Sequence, residues 1–306
     1  MFDRATLNRR CSFFLRYELT MEYNTRCAIA ACQQLGLTWE SIDPEGNFIR
    51  VRFGSRWQYF ELGRSPFNAE AVACICKDKT RSYQLLQTRV RLPEMRSFLD
   101  PCGDKLYRKY LTHDSLPAIL AEAESAFSYP YVIKPNKGSL GINVFLCQDR
   151  SEAEHALSVI YNKNTLNYDY ISIAQKFIAS AFEYRLICGF NRPLMVYRRG
   201  DGAEFNARYW EHGAGGRAQL ETSGELISEL YEFIRPVFAE LELGLVGFDI
   251  IRAKDGDLYL IELNSAPRFD HVIADNGMDC VVDLYCNLFR DAQILEGWPD
   301  ADSIGQ

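Results

Sequence analysis

The sequence predicts an α+β protein of 306 residues in which a small middle domain precedes a larger final one. Three observations carry that expectation. Asp255-Gly256 stands between two apolar runs, a strong hairpin signal. A second pair of apolar runs, Tyr131–Lys134 and Ile142–Cys147, flanks a glycine-containing turn. Between and around these strands lie helical stripes, at Ala153, Ala156, Leu157 and Ile160 and at Ile227, Leu230, Ile234, Phe238 and Leu241.

The elements follow in order. Ala28, Ile29, Cys32, Leu35 and Leu37 keep a helical spacing that ends at Gly36. Phe48–Phe53 reads as a strand, Gly54-Ser55 as a turn and Trp57–Phe60 as its hairpin partner. From about Thr112 to Phe177 the pattern is helix, strand, turn, strand, helix, strand. Ser151 with Glu154 makes a capping box for the second of those helices. Ile171–Gln175 is the strand after it. The stripe from Ile227 to Leu241 is interrupted by Pro236, which predicts a kink. Two strands follow, then a loop and a closing helix through Val281, Leu284, Tyr285 and Leu288.

Composition narrows the function classes. Hydrophobic residues make up 47%, enough for a sizeable core, and no apolar run reaches membrane-spanning length. Net charge is −7, with a pI near 5.3, which argues against nucleic acid as a general partner, and without a spanning run no membrane partner is expected. The ten cysteines are scattered through apolar segments and complete no zinc spacing, so a reducing, cytoplasmic location is expected. Arg4, Arg9, Arg10 and Arg16 suit either a transit peptide or solvated arginines.

The most informative stretch is the last hairpin. If Asp255-Gly256 is a two-residue turn, Lys254 pairs with Asp257, and counting back places Asp249 opposite Glu262. Asn264 then shares the face of Glu262, because side chains alternate with period two. Two facing carboxylates repel, so a positive partner is expected between them. Two carboxylates and one amide suit Mg²⁺ completed by phosphate oxygens and water, and an edge hairpin with both acids in solvent is the alternative.

A second candidate site is Asn136–Gly141. Gly138 and Gly141 let the backbone approach a ligand, and successive amides with Ser139 can cradle phosphate oxygens. Lys134 just upstream adds a point charge. The P-loop, dinucleotide-binding and nucleophile-elbow fingerprints are absent, so a nucleotide would need another architecture.

Taken in order, Lys79, Lys134 before the glycine turn, Gln175-Lys176-Phe177-Ile178, Glu183-Tyr184-Arg185, Asp249 and Glu262-Leu263-Asn264-Ser265-Ala266-Pro267 resemble the ATP-grasp superfamily. The resemblance covers about Cys74 to Leu288. It is nearest to the ATP-grasp domains of cyanophycin synthetase, glutathione synthetase and the ribosomal-protein glutamate ligases. Arg199 through Asn206 to His212-Gly213 is similar to the acceptor and phosphate loop of the last group. Pro267–His271 followed by Gly277 is similar to the loop after the metal site in cyanophycin synthetase.

The resemblance implies an ATP-grasp fold: an N-terminal α/β region over 1–73 and an ATP-grasp domain over 74–306. Its lid would span about 112–177 and its C-terminal subdomain about 178–306. It implies MgATP, with two Mg²⁺ ions or Mn²⁺ in their place, and an ATP-dependent ligase that joins a carboxylate to an amine through an acyl phosphate. Lys79 and Lys134 would contact phosphates under the turn at Gly138, Ser139 and Gly141. Gln175, Lys176, Phe177 and Ile178 would hold adenine, and Glu183 the ribose. Asp249, Glu262 and Asn264 would bind the metal, and Arg185 would stabilise the transferring phosphoryl group. Arg199, Asn206, His212, Gly213 and Arg268 are candidates for the substrate, an amino acid or peptide.

Some positions depart from the family pattern. Gln175-Lys176 replaces an acidic hinge, Arg268 stands where glycine is common, and Gly247 stands where some members carry arginine. A small-molecule kinase on the same fold and a non-catalytic ATP-binding module are the competing readings. Many relatives are oligomeric, so a homo-oligomer is also expected.

Overall fold

The structure is a computed structural model and describes residues 21–199 and 217–295. The first described helix, Tyr23–Leu35, buries Cys27, Ala28, Ala31 and Cys32. It stops at Gly36, whose left-handed φ of 65° a glycine adopts without steric cost. β1 (Trp39–Ser41), β2 (Phe48–Phe53) and β3 (Arg56–Glu61) form an antiparallel sheet in that order. Gly54-Ser55 is the β2–β3 turn, with Phe53 opposite Arg56. The inner face of this sheet does not have a core of its own. Phe53 and Phe60 pack their rings at 5.3 and 5.6 Å from Phe289 of the closing helix Asp279–Leu295.

Helices Glu70–Lys77 and Lys79–Leu86 lead into the second sheet. It contains β4 (Met95–Leu99), β5 (Tyr131–Pro135), β6 (Phe145–Cys147) and β7 (Ile171–Lys176), all antiparallel, in the order β4-β7-β5-β6. Helices Leu116–Ala126 and Arg150–Ile160 cover one face, with Ile119, Leu120, Ala156, Leu157 and Ile133 buried between the layers. Two local expectations are corrected here. The second helix is capped by Asp149, which accepts from the Glu152 amide at 3.0 Å, while Glu152 accepts from the Gln148 amide at 2.8 Å. The capping box therefore sits two residues before Ser151 and Glu154, because Asp149 lets the helix start at Arg150. The return strand is confined to Phe145–Cys147. Asn143, at φ 58°, keeps residues 142–144 in the turn.

The third sheet holds β8 (Ser180–Gly189), β9 (Arg192–Arg199), β10 (Ala218–Leu220), β11 (Leu245–Ala253) and β12 (Leu258–Asn264), in the order β10-β9-β8-β11-β12. One face buries Leu186, Val246, Phe248, Ile250 and Leu260 against helix Gly224–Ile234 and the 3-10 turn Arg235–Ala239. Pro236 opens that turn, as a helix-breaking residue should. Helix Asp270–Asn276 and the closing helix complete the chain as described. Among the described residues, no helix is long and apolar enough to cross a membrane, and every cysteine is a free thiol.

The hairpin that sequence reading placed at Asp255-Gly256 forms, but with a different turn. Ala253, not Lys254, bonds to Asp257, so three residues make the loop, with Gly256 at φ 94°. Pairing then runs Arg252–Leu258, Ile251–Tyr259 and Ile250–Leu260. A β-bulge at Ile261 shifts the register by one, and Asp249 faces Glu262 after all. Without the bulge, strict alternation from Leu258 and Leu260 would have turned Glu262 into the apolar core.

Candidate active site

The face of the third sheet opposite its helix carries a polar row. Arg185 of β8 lies opposite Asp249 of β11, which lies opposite Glu262 of β12. Arg185 holds Asp249 with its fork: Nε donates to Oδ1 at 2.6 Å and Nη2 to Oδ2 at 2.7 Å. Arg199 Nη1 donates to the same Oδ2 at 3.2 Å. Burial works against the charge of Arg185, but Asp249 outweighs it and keeps the guanidinium protonated. On Glu262, Lys79 Nζ lies 3.5 Å from Oε2. Asn264 Nδ2 reaches Glu262 Oε1 at 3.3 Å and Asp249 Oδ2 at 3.4 Å. The positive partners required by two facing carboxylates are therefore Arg185, Arg199 and Lys79.

Gly247 sits where a side chain would crowd its neighbours. A Cβ there would lie 3.7 Å from Arg185 Cδ, 3.2 Å from Ile187 and 3.3 Å from Pro267. The closest neighbours are therefore Ile187 and Pro267, and the stem of Arg185 passes at ordinary contact distance.

Lys134 of β5 faces this row across the gap between the second and third sheets. It is 5% exposed and donates to Gln175 Oε1 at 2.8 Å. Burial, then the nearby Lys79, pull its pKa down to about 8, against the opposing pull of Glu262 and Asp249. Lys134 and Gln175 line two cavities. The smaller also touches Lys79 and Glu262. The larger, about 300 Å³, is walled by Val132, Val144, Gln175, Lys176, Phe177, Ile178, Glu183, Ile251, Lys254 and Ile261. A mostly apolar slot with a few convergent polar groups is the usual form of a small-ligand site. Val132 and Ile251 were legible as period-two neighbours of Lys134 and Asp249. Ile261, placed by the bulge, and Pro93, which also lines the larger cavity, left no such signal.

The glycine turn is tied down on three sides. Asn136, fully buried, accepts from the Thr80 amide at 2.9 Å, and its carbonyl accepts from the Lys79 amide at 3.3 Å. Lys79 Nζ donates to the Gly138 carbonyl at 2.7 Å. Below, buried Asp169 accepts from the Lys137 amide at 2.7 Å and the Ile171 amide at 3.0 Å. Sequence reasoning missed Asp169, since an acid before a strand gives no signal of its own. Gly138 is required by space, because a Cβ there would lie 2.3 Å from Pro135 Cγ. Gly141 sits at φ 64°, and Ser139 is exposed on the turn.

The other sequence candidates fall differently. Arg199, expected at a substrate, joins the Asp249 carboxylate. Arg268 is half exposed and paired with Asp270 at 3.1 Å and Glu22 at 3.4 Å. Asn206, His212 and Gly213 lie outside the described residues, as do the early arginines.

Asp249, Glu262 and Asn264 meet on one face of the sheet, with the Asn264 side chain between the two acids. The Asn264 amide now donates to both acids, and a half-turn about its last torsion presents its oxygen to the same point. No group of three or more His, Cys, Asp or Glu gathers among the described residues. A two-carboxylate, one-amide set of hard donors suits Mg²⁺ shared with phosphate better than a closed protein cage.

Comparison with known proteins decides the family. The model for the RimK-like ATP-grasp domain matches residues 76–287. The chain belongs to the RimK-like ATP-grasp family. This RimK-like protein is 24% identical to a probable alpha-L-glutamate ligase of Pasteurella multocida over 93% of its own length and 81% of the relative's. It is 24% identical to a D-alanine–D-alanine ligase of Streptococcus equi subsp. zooepidemicus over 71% of its length, and spans 60% of that relative. Among solved structures, a D-alanine–D-alanine ligase from Bacillus anthracis complexed with ATP matches with a TM-score of 0.51 at 19% identity, over 75% of this chain and 71% of that one. VanG D-Ala:D-Ser ligase from Enterococcus faecalis matches at 0.52 and 15%, over 72% and 64%. The fold is that of the ATP-grasp ligases, and the RimK-like chain is an ATP-dependent ligase that forms C–N bonds.

Proposed function

We propose that the enzyme activates the carboxylate of an amino acid or peptide as an acyl phosphate and joins it to an amine. The observation that carries the reading is the row Arg185–Asp249–Glu262, set against the cavity that Lys134 and Gln175 line. Lys134 and Lys79 bind the phosphates, with Gly138, Ser139 and Gly141 closing over them. The segment Gln175–Ile178 lies against the base, and Glu183 takes the ribose hydroxyls. Asp249, Glu262 and Asn264 would hold Mg²⁺, which neutralises phosphate charge when bound.

The chemistry asks little covalent work of the protein. A carboxylate is inert to amines at neutral pH. Transfer of the γ-phosphoryl group to its oxygen releases ADP and gives a carbonyl with a good leaving group. The amine then adds to that carbon, phosphate departs and the nitrogen loses a proton. Arg185 and Lys134 aid both steps by positioning and by stabilising charge, the larger part of catalysis in such transfers. The glycine turn keeps water from the acyl phosphate. The division into residues 1–73 and 74–306, and a cytoplasmic location, are part of the same proposal.

The test is ADP release with MgATP across pools of amino acids and short peptides, with mass analysis of products. ADP release that needs carboxylate and amine together, with a product one water lighter than their sum, is the expected result. A phosphorylated product without condensation would replace the ligase with a kinase.

A further inference from the structure

The connection between β4 and helix Leu116–Ala126 carries a stretch whose composition its packing does not explain. The 3-10 helix Lys105–Tyr110 reads Lys-Leu-Tyr-Arg-Lys-Tyr, and none of its residues is buried. Leu106 is 69% exposed and Tyr110 60%. Among the described residues, Lys105, Arg108 and Lys109 make no ion pair. Tyr107 stacks on Tyr170 with centroids 5.9 Å apart and planes 12° from parallel. The Lys137 ammonium lies 5.7 Å from the Tyr170 ring. Lys137 is exposed and precedes Gly138, so the patch runs from the 3-10 helix to the glycine turn. Asp104 accepts from the Leu106 amide and caps the helix, and Asp169 accepts from the Lys137 amide.

We propose that this surface docks an acidic segment of a peptide or protein substrate, with carboxylates spaced among aromatic or aliphatic side chains. The proposal rests on the ligase reading above and names the chemistry of its substrate. Lys109 lies 4.9 Å from the Tyr110 ring and Lys137 over Tyr170, so these cations rest on aromatic faces rather than on carboxylates, and an anion meets them without first breaking an ion pair. Flat tyrosine rings supply amphipathic contact area at low entropic cost. Charge chooses between a peptide and a nucleic acid. The chain carries −7 overall, so a long polyanion reaching beyond the patch meets like charge, while a short acidic segment ends within it. Docking beside Lys137 would also place the segment at the turn that covers the phosphates, bringing a substrate carboxylate to the reacting end of the nucleotide.

The experiment uses the full chain and fluorescence anisotropy with a labelled decapeptide of Glu, Asp, Tyr and Leu. A peptide with Lys in place of the acids and a ten-nucleotide single-stranded RNA are the comparisons. The acidic peptide should bind, weaken with salt, and lose at least tenfold in affinity in the K105E/R108E/K109E variant. Tyr110→Ala, a single exposed change, should weaken it severalfold and serves if the triple variant does not fold. MgATP affinity, measured separately by calorimetry, should be the same in all. Failure of the acidic peptide to bind, or binding indifferent to both variants, overturns the proposal. RNA binding more tightly than the peptide, and lost in the same variants, overturns it in favour of nucleic acid. Loss of MgATP binding by the unmodified chain would instead strike the ligase reading.

Discussion

Arg185 and Asp249 face each other across β8 and β11, joined by two hydrogen bonds of 2.6 and 2.7 Å. The pair is largely shielded, with side chains 12% and 13% exposed. A planar fork on a carboxylate is a geometry that lysine cannot copy. Arg185→Lys should therefore keep MgATP binding within a fewfold and lower ADP release by roughly 100-fold, the scale of losing one transition-state donor. Equal turnover in the two proteins would remove Arg185 from the chemistry.

Asp249→Ala asks the converse question. It leaves Arg185 and Arg199 close together with their shared partner gone. Breaking a buried pair from one side costs about 3–5 kcal/mol. Urea unfolding should show a loss on that scale, and Mg²⁺-dependent nucleotide binding should go with it. A stability change below about 1 kcal/mol, the range of a surface pair, would mean the pair is solvated.

Lys134 predicts a pH dependence. Burial first, then Lys79, bring its pKa down from 10.5 to about 8 in the nucleotide-free enzyme. The ammonium is present below that value and lost above it, and only the charged form attracts a triphosphate. Affinity for MgATP should be level up to about pH 7 and fall as pH rises through 8. Lys134→Arg, which stays charged, should remove the fall. The same decline in both proteins would assign the titration elsewhere.

Asp169 should act on the nucleotide through the turn it anchors. In Asp169→Asn the side chain keeps one acceptor, so only one of the Lys137 and Ile171 amides remains satisfied. We expect MgATP affinity to drop about tenfold, equivalent to ~1.4 kcal/mol. The rate at saturating MgATP should change little. A fall in that rate with affinity intact would contradict a positioning role.

Gly138→Ala tests the closest approach in the turn. The new methyl would meet Pro135 Cγ at 2.3 Å, so backbone must move. Overpacking of this kind costs about 1–3 kcal/mol, here drawn from the loop that covers the phosphates. Calorimetry should show weakened MgATP binding, and the melting temperature should fall by a few degrees, about 2–4 °C per kcal/mol.

Much of the architecture was legible because it is written in short-range patterns. The Gly36 stop, the Gly54-Ser55 turn and the Pro236 kink are local, each set by one residue's allowed backbone. Asp149 was misread because two overlapping cap patterns lie within three residues, and only packing of the helix onto β5 and β6 chooses between them. β1 and β10 escaped because three residues carry too little alternation to register.

The site divides along the same line. By itself the sequence determined the ingredients: Lys79, Lys134, the glycine turn, Arg185, Asp249, Glu262 and Asn264, in an order that resembles the ATP-grasp superfamily. The tertiary structure decided how they meet. Asp249 faces Glu262 because a three-residue turn and a bulge at Ile261 offset each other, and a bulge answers to packing on both faces of a sheet rather than to any pattern within a strand. Arg185, Arg199 and Lys79 reach the acids from other elements, and Asp169 reaches the turn from the loop before β7. Those contacts join residues far apart in the chain, where sequence spacing carries no distance.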